Sequence, residues 1–295
     1  MVAVFGRRGR KPAGVSRHRQ RLSLERLERR DCPAYVGLGS PLGPVILSFS
    51  TQVLPGHMVR LSGVVSDSDP ANCGVNFSGA ASGGAWCDIN GYFSYTASNA
   101  KIGKVTAVAV DDCIGSSAPY TTVIAVARPT VALALTYGSQ RSVTLSGQVT
   151  DLDAGSLSVN FTGVVGGSVN VNSDGTFTLT TSATGLGAIY ASTTDLWGQV
   201  SKTAQVIVSS PPPVITSFTA TMTGGNLWTF TGTVNDPSAA GLQVQLAGAY
   251  GGVATVGTDG TFTVTVQLTG GVMGNVTAQV TDWWGQLSNQ VTQFI

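Results

Sequence analysis

Two aspartates separated by one residue occur twice in this 295-residue chain, as Asp67 with Asp69 and as Asp151 with Asp153, and Asp112 and Asp195 stand further along in corresponding places. Carboxylates are hard oxygen donors and calcium takes six to eight such oxygens. Asp67, Asp69, Asp112, Asp151, Asp153 and Asp195 are therefore candidate calcium ligands, with Asp equally the favoured turn residue. A second recurring set is "TDLWGQV", Thr194 to Val200, which returns 87 positions later as "TDWWGQL", Thr281 to Leu287. Its indoles, Trp197 and Trp284, can cap the end of a sandwich or lie open as platforms for stacking a sugar ring. A third pair is Cys73 and Cys87, close enough in sequence to face each other across a hairpin, either as a disulfide in an oxidising compartment or as two buried free thiols.

Other chemistry is poorly supplied. Beyond residue 40 the chain has one histidine, His57, and no Glu, so neither a Ser-His-Asp arrangement nor a histidine-rich metal site can be built repeatedly. His57, beside Pro55-Gly56, reads as a solvated loop side chain. The pairs Gly83-Gly84, Gly166-Gly167 and Gly251-Gly252 have no helix pattern after them, which excludes a phosphate-cradling loop. These readings predict no enzymatic activity and no organic cofactor.

The elements that must position these residues follow from repetition. Leu61-Ser62-Gly63, Leu145-Ser146-Gly147 and Phe230-Thr231-Gly232 are spaced by 84 and 85, and Asn90-Gly91, Asp174-Gly175 and Asp259-Gly260 keep the same interval. Each of these later pairs precedes a run of period two, such as Phe262, Val264, Val266 and Leu268 against Thr261, Thr263, Thr265 and Gln267, which is the pattern of a half-buried strand. Counting the runs in the third copy gives seven strands, ending with one over Leu287–Phe294. The chain is thus predicted to be all-β, with three tandem immunoglobulin-like β-sandwiches at 41–128, 129–210 and 211–295 after a disordered basic tract at 1–40. In such a module the turns after the second, fourth and sixth strands lie at the pole where the chain enters, and all twelve aspartates beyond residue 40 fall there. In outline the arrangement is similar to cadherin-type modules, and that resemblance implies carboxylates gathered at module junctions. The first copy of the tryptophan turn is the degenerate "DDCIGSS", with Ile114 in the indole's place.

Charge divides the chain. Residues 1–40 hold ten Lys or Arg, whereas the remainder carries about −6 and has no cation after Lys202. Phosphate backbones need clustered cations, so the repeats are not expected to bind nucleic acid. No run reaches the roughly 18 apolar residues of a membrane span. Within the basic tract, "LERLERRDCPA" runs from Leu24 to Ala34. Leu24, Glu25, Leu27, Glu28, Arg30, Pro33 and Ala34 make it resemble the LExLExRxxPA motif near the start of secreted or surface proteins of planctomycete-type bacteria; Arg29, where Asp is usual, departs from it. The resemblance implies export and an extracellular or cell-surface location, although no ordinary signal-peptide apolar run follows the basic start. The expected function is a structural or adhesion array that meets a cell-surface protein or glycan. The alternative is a carbohydrate-binding protein using Trp197 and Trp284.

Overall fold

The computed structural model describes residues 43–111 and 115–295. The basic tract with its motif, Cys32, Asp112, Cys113 and Ile114 lie outside the described residues. Residues Gly43–Ile295 form one compact unit.

The first sandwich holds β1 (Val45–Leu54), β2 (Met58–Ser66), β3 (Cys73–Gly79), β4 (Gly83–Trp86), β5 (Tyr92–Ser98), β6 (Gly103–Asp111), the two-residue β7 (Gly115–Ser116) and β8 (Tyr120–Ile124). The second holds β9 (Thr130–Tyr137), β10 (Ser142–Thr150), β11 (Ser158–Gly163), β12 (Gly167–Asn170), β13 (Thr176–Ser182), β14 (Gly187–Thr193) and β15 (Ala204–Val208). The third holds β16 (Val214–Gly224), β17 (Leu227–Asn235), β18 (Gln243–Gly248), β19 (Gly252–Thr255), β20 (Thr261–Gln267), β21 (Asn275–Val280) and β22 (Val291–Phe294).

One connection scheme serves all three. The first, second and fifth strands form one sheet, β1-β2-β5, β9-β10-β13 and β16-β17-β20, and the other sheet takes the third, fourth, sixth and last, as in β12-β11-β14-β15 and β19-β18-β21-β22. The inward faces meet in three separate cores. Phe93, Phe177 and Phe262 lie at the centre of each, all about 1 % exposed. The alternation read from the sequence is the cause: along β20, Phe262 is buried and Val264 and Val266 half-buried, while the threonines between them face solvent.

The recurring glycine of the second strand has a steric origin. A Cβ on Gly63 would stand 2.0 Å from the Ser48 carbonyl oxygen, one on Gly147 2.0 Å from that of Ala132, and one on Gly232 2.4 Å from that of Ser217. In each case the ring of the central Phe lies almost as close. Only a residue without Cβ lets the first strand and the Phe ring approach this nearly.

The last strand of the third copy is shorter than expected. Leu287 makes only an isolated bridge to Thr281. Ser288 then turns inward, where its Oγ accepts the Val280 N–H at 3.0 Å and donates to the Asn289 carbonyl at 2.7 Å. Regular pairing therefore resumes only at Val291.

Candidate functional site at the module junctions

The tryptophan turn connects the sixth and last strands and is built on its aspartate. Asp195 Oδ1 accepts the N–H groups of Trp197 at 2.9 Å and Gln199 at 2.7 Å, and Asp282 Oδ1 accepts those of Trp284 and Gln286 at the same two distances. Both carboxylates are only 6 % exposed. The glycine after each indole has positive φ, 79° at Gly198 and 86° at Gly285, as such a turn requires. The second carboxylate oxygen of each aspartate accepts from the side-chain amide of Gln199 or Gln286, at 3.1 and 3.2 Å.

What this rigid turn presents is directed at the preceding module. Trp197 packs against the core of the first sandwich, and Trp284 against the core of the second. The amide of Gln199 also donates to the Val126 and Ala127 carbonyls, at 3.2 and 3.4 Å, and that of Gln286 to the Ser210 carbonyl at 2.9 Å. These acceptors lie in the segments joining one sandwich to the next. A single turn thus caps the neighbour's core and fixes the linker leading away from it.

The first-to-second-strand turn of each preceding module supplies the other half. His57 is not the solvated side chain expected from sequence: it is half-buried, one ring nitrogen lies 2.8 Å from the Ala100 carbonyl oxygen, and its ring meets Trp197 edge-on with centroids 4.4 Å apart. The neighbouring Gly56 N–H donates to Asp153 Oδ1 of the second module at 2.7 Å. At the second junction the corresponding residue is Arg141, which donates through Nε to the Trp283 carbonyl and through a terminal nitrogen to the Thr184 carbonyl at 3.2 Å.

The remaining aspartates shape the same pole. Asp67, Asp151 and Asp236 each accept a backbone N–H two residues on, from Asp69, Asp153 and Ser238 at 2.8, 2.8 and 2.7 Å. Asp88, Asp174 and Asp259 do likewise for Asn90, Thr176 and Thr261. Burial pushes the Asp151 carboxyl above the usual range, partly offset by the Asp153 N–H, with the nearby charges of Asp195 and Asp153 adding to the rise. Asp236 is raised in the same way by burial, with Asp282 nearby. Among the described residues, no group of three or more His, Cys, Asp or Glu is placed to hold a metal ion. Asp67, Asp69, Asp151, Asp153 and Asp195 are thus found in turns at the entry poles, and Asp112 lies outside the described residues.

Cys73 opens β3, and Cys87 lies one residue beyond β4 with its N–H on the Cys73 carbonyl at 3.0 Å. Both are buried free thiols. Burial and the neighbouring Cys87 push the Cys73 thiol up to about 12, and burial raises Cys87 as well. Of the indoles without counterparts in other copies, Trp86 is 70 % exposed and Trp283 donates to the Ser238 carbonyl at 2.9 Å.

The sequence reading missed three contributors. Gln199 and Gln286 recur in both quoted turns and were not singled out. Ser117, Ser201 and Ser288 recur in all three copies, each Oγ accepting a backbone N–H of the sixth strand, from Ala109, Thr193 and Val280. His57 and Arg141 share a place but no chemistry, so no pattern could have linked them.

No family model matches the chain, and no curated relative does. Among solved structures it is similar to a biofilm-associated protein BSP domain, at 10% identity over 86% of this chain and 66% of that one, TM-score 0.26. The chain therefore spans just under two thirds of that domain's length. The ICAM-5 D1–D4 ectodomain fragment gives 14% identity over 84% and 76% of the two chains, TM-score 0.36. Fibronectin(III)-like modules of Clostridium thermocellum CbhA give 18% identity over 54% and 91%, TM-score 0.24. No described helix is long and apolar enough to cross a membrane.

Proposed function

We propose that the chain is an exported, non-enzymatic structural or adhesion protein, in which three sandwiches joined at stiffened junctions hold a binding surface away from the cell. The observation that carries this reading is that both junctions are closed by the same turn. Trp197 and Trp284 are seated on the preceding core, and Gln199 and Gln286 hold the linker. A flexible string of modules has no use for a repeated clamp of this kind, whereas a spacer that must keep its reach does. The array meets a cell-surface protein or glycan. As a sugar platform the two indoles are poorly disposed, since stacking needs an open ring face and these rings spend part of theirs on protein.

Export is tested by labelling intact cells of the source organism with a membrane-impermeant amine reagent. Labelling of Lys101, Lys104 and Lys202 without cell lysis supports the reading, and labelling only after lysis overturns it. A pull-down of the purified chain against the organism's own envelope then identifies the partner class.

A further inference from the structure

The first sandwich differs from the other two at one buried contact. In every module a residue at the start of the third strand faces one just beyond the fourth, and the later N–H donates to the earlier carbonyl. The pairs are Cys87 to Cys73 at 3.0 Å, Val171 to Leu157 at 3.0 Å and Val256 to Leu242 at 2.9 Å. The backbone is thus the same in each copy. In the second and third modules the facing side chains are Leu and Val, buried in their cores. In the first they are two thiols, Cys73 with no exposed surface and Cys87 6 % exposed.

That exchange removes apolar contact from a strand that has little to spare. β4 lies at the edge of its sheet and opens on Gly83-Gly84. With the residue after it, β4 brings only Ala85 and Cys87 to the core, where β12 brings Val169 and Val171. A covalent bond would restore what is lost, and the geometry is suited to one. The register of β3 with β4 ends with Gly74 opposite Trp86, which sets Cys73 opposite Cys87. Opposed residues of an antiparallel pair have Cα atoms about 4.5–5.5 Å apart, inside the span of about 4.4–6.8 Å that a disulfide bridges. The two thiols are hydrogen-bonded to each other.

We infer that Cys73 and Cys87 are the site of a disulfide that staples the edge strand β4 onto β3, and that it closes before the first sandwich folds and not after. Both cysteines belong to one sheet, so this is not the bond that joins the two sheets of antibody domains. Closure is an exchange with a disulfide reagent, either a small-molecule disulfide or that of an oxidoreductase. One cysteine thiolate attacks the reagent and releases one of its thiols; the other thiolate attacks the mixed disulfide and releases the second. Two electrons and two protons thereby pass from the cysteines to the reagent. The first attack needs a thiolate that the reagent can reach. In the folded module burial and the neighbouring Cys87 push the Cys73 thiol up to about 12, and a sulfur without exposed surface cannot take up a mixed disulfide. The unfolded chain has neither barrier, so the folded protein keeps the redox form in which it folded. The inference rests on the hairpin geometry and is independent of export.

The test uses the full chain with Cys32→Ser and Cys113→Ser, which leaves only the buried pair. Refolded from denaturant with oxidised glutathione, it should yield Cys73 and Cys87 as one linked peptide pair. Amides of β3 and β6 that exchange only when the first module opens should then exchange roughly a hundredfold more slowly than in the reduced chain, the effect of closing a loop of about 15 residues. Folded first in reduced form and then given the same reagent, the chain should link roughly a hundredfold more slowly than when unfolded, and mild denaturant should speed the reaction. Cys73→Leu with Cys87→Val, the residues of the other modules, should fold with exchange that is indifferent to the oxidant. If the serine substitutions prevent folding, the parent chain is mapped instead, and a bridge from either cysteine to Cys32 or Cys113 overturns the inference. So does failure to link on refolding, a linked chain with unchanged exchange, or linkage of the folded chain at the unfolded rate.

Discussion

Replacing Trp197 by alanine removes the contact that joins the first two modules while leaving the turn's backbone bonds in place, since Asp195 accepts from N–H groups rather than from the indole. A covered Trp buries roughly 150–250 Å². With about half of that taken from water at the junction, about 25 cal/mol per Å² gives roughly 2–3 kcal/mol. The edge-on contact with His57 contributes about 0.5–1.5 kcal/mol more. A multidomain chain does not unfold in two states, so the loss is best read locally, by native-state hydrogen exchange of the full chain. Amides at the first module's exit pole, in Gly56–Val59 and Ala97–Lys101, should exchange roughly a hundredfold faster in Trp197→Ala. Leu196→Ala, a neighbouring turn residue that is 37 % exposed, should change them little. Unchanged exchange at that pole, or acceleration confined to the second module, would refute the assignment of the indole to the preceding core.

Gly63→Ala or Gly147→Ala should lower the melting temperature markedly, because each new Cβ meets a strand carbonyl oxygen at 2.0 Å and overpacking costs about 1–3 kcal/mol; unaltered melting would show that the first strand yields freely. The carboxyls of Asp151 and Asp236 are raised on folding, so each favours the fold most below its unfolded pKa, and that contribution is lost as pH rises through the folded value. Asp151→Asn and Asp236→Asn should therefore gain relative stability between pH 4 and 7, while Asp195→Asn, which weakens a fully used turn acceptor, should lose stability at pH 7; the reverse order in denaturant titrations would contradict these roles. Cys73 and Cys87 should resist alkylation at pH 8 until the chain is unfolded, because burial keeps them as thiols, and oxidation should link them to each other; rapid native-state labelling, or a bridge to Cys113, would show that the hairpin ends are placed wrongly.

The fold class was legible because burial follows a period of two. Val59, Leu61, Gly63 and Val65 point inward along β2, and so do Phe230, Gly232 and Val234 along β17. The inward turn of Ser288 was not legible, since a serine between Leu287 and Asn289 carries no sign that its hydroxyl serves a neighbouring strand. The site divides in the same way. The Asp-x-x-Gly spacing announced a turn, and Asp195 and Asp282 build it as that chemistry dictates. Which surface Trp197 would touch could not be read, because its partners lie in the preceding module, His57 among them 140 positions earlier, and a turn residue has no periodicity to give it a direction. His57 illustrates the same limit. Its surroundings in sequence are those of an exposed loop, and its partners, the Ala100 carbonyl and the Trp197 ring of the next module, are both distant in sequence.

The central claim is that the tryptophan turn locks each module onto the one before it. Spin labels at the exposed positions Ser94 and Thr178, in a chain with Cys32→Ser and Cys113→Ser so that only the buried pair remains, give the distance distribution between the first and second modules. The parent should show one narrow distribution, and Trp197→Ala combined with Gln199→Ala should broaden it while each sandwich stays folded. A broad distribution in the parent, or an equally narrow one in the double variant, would contradict the claim.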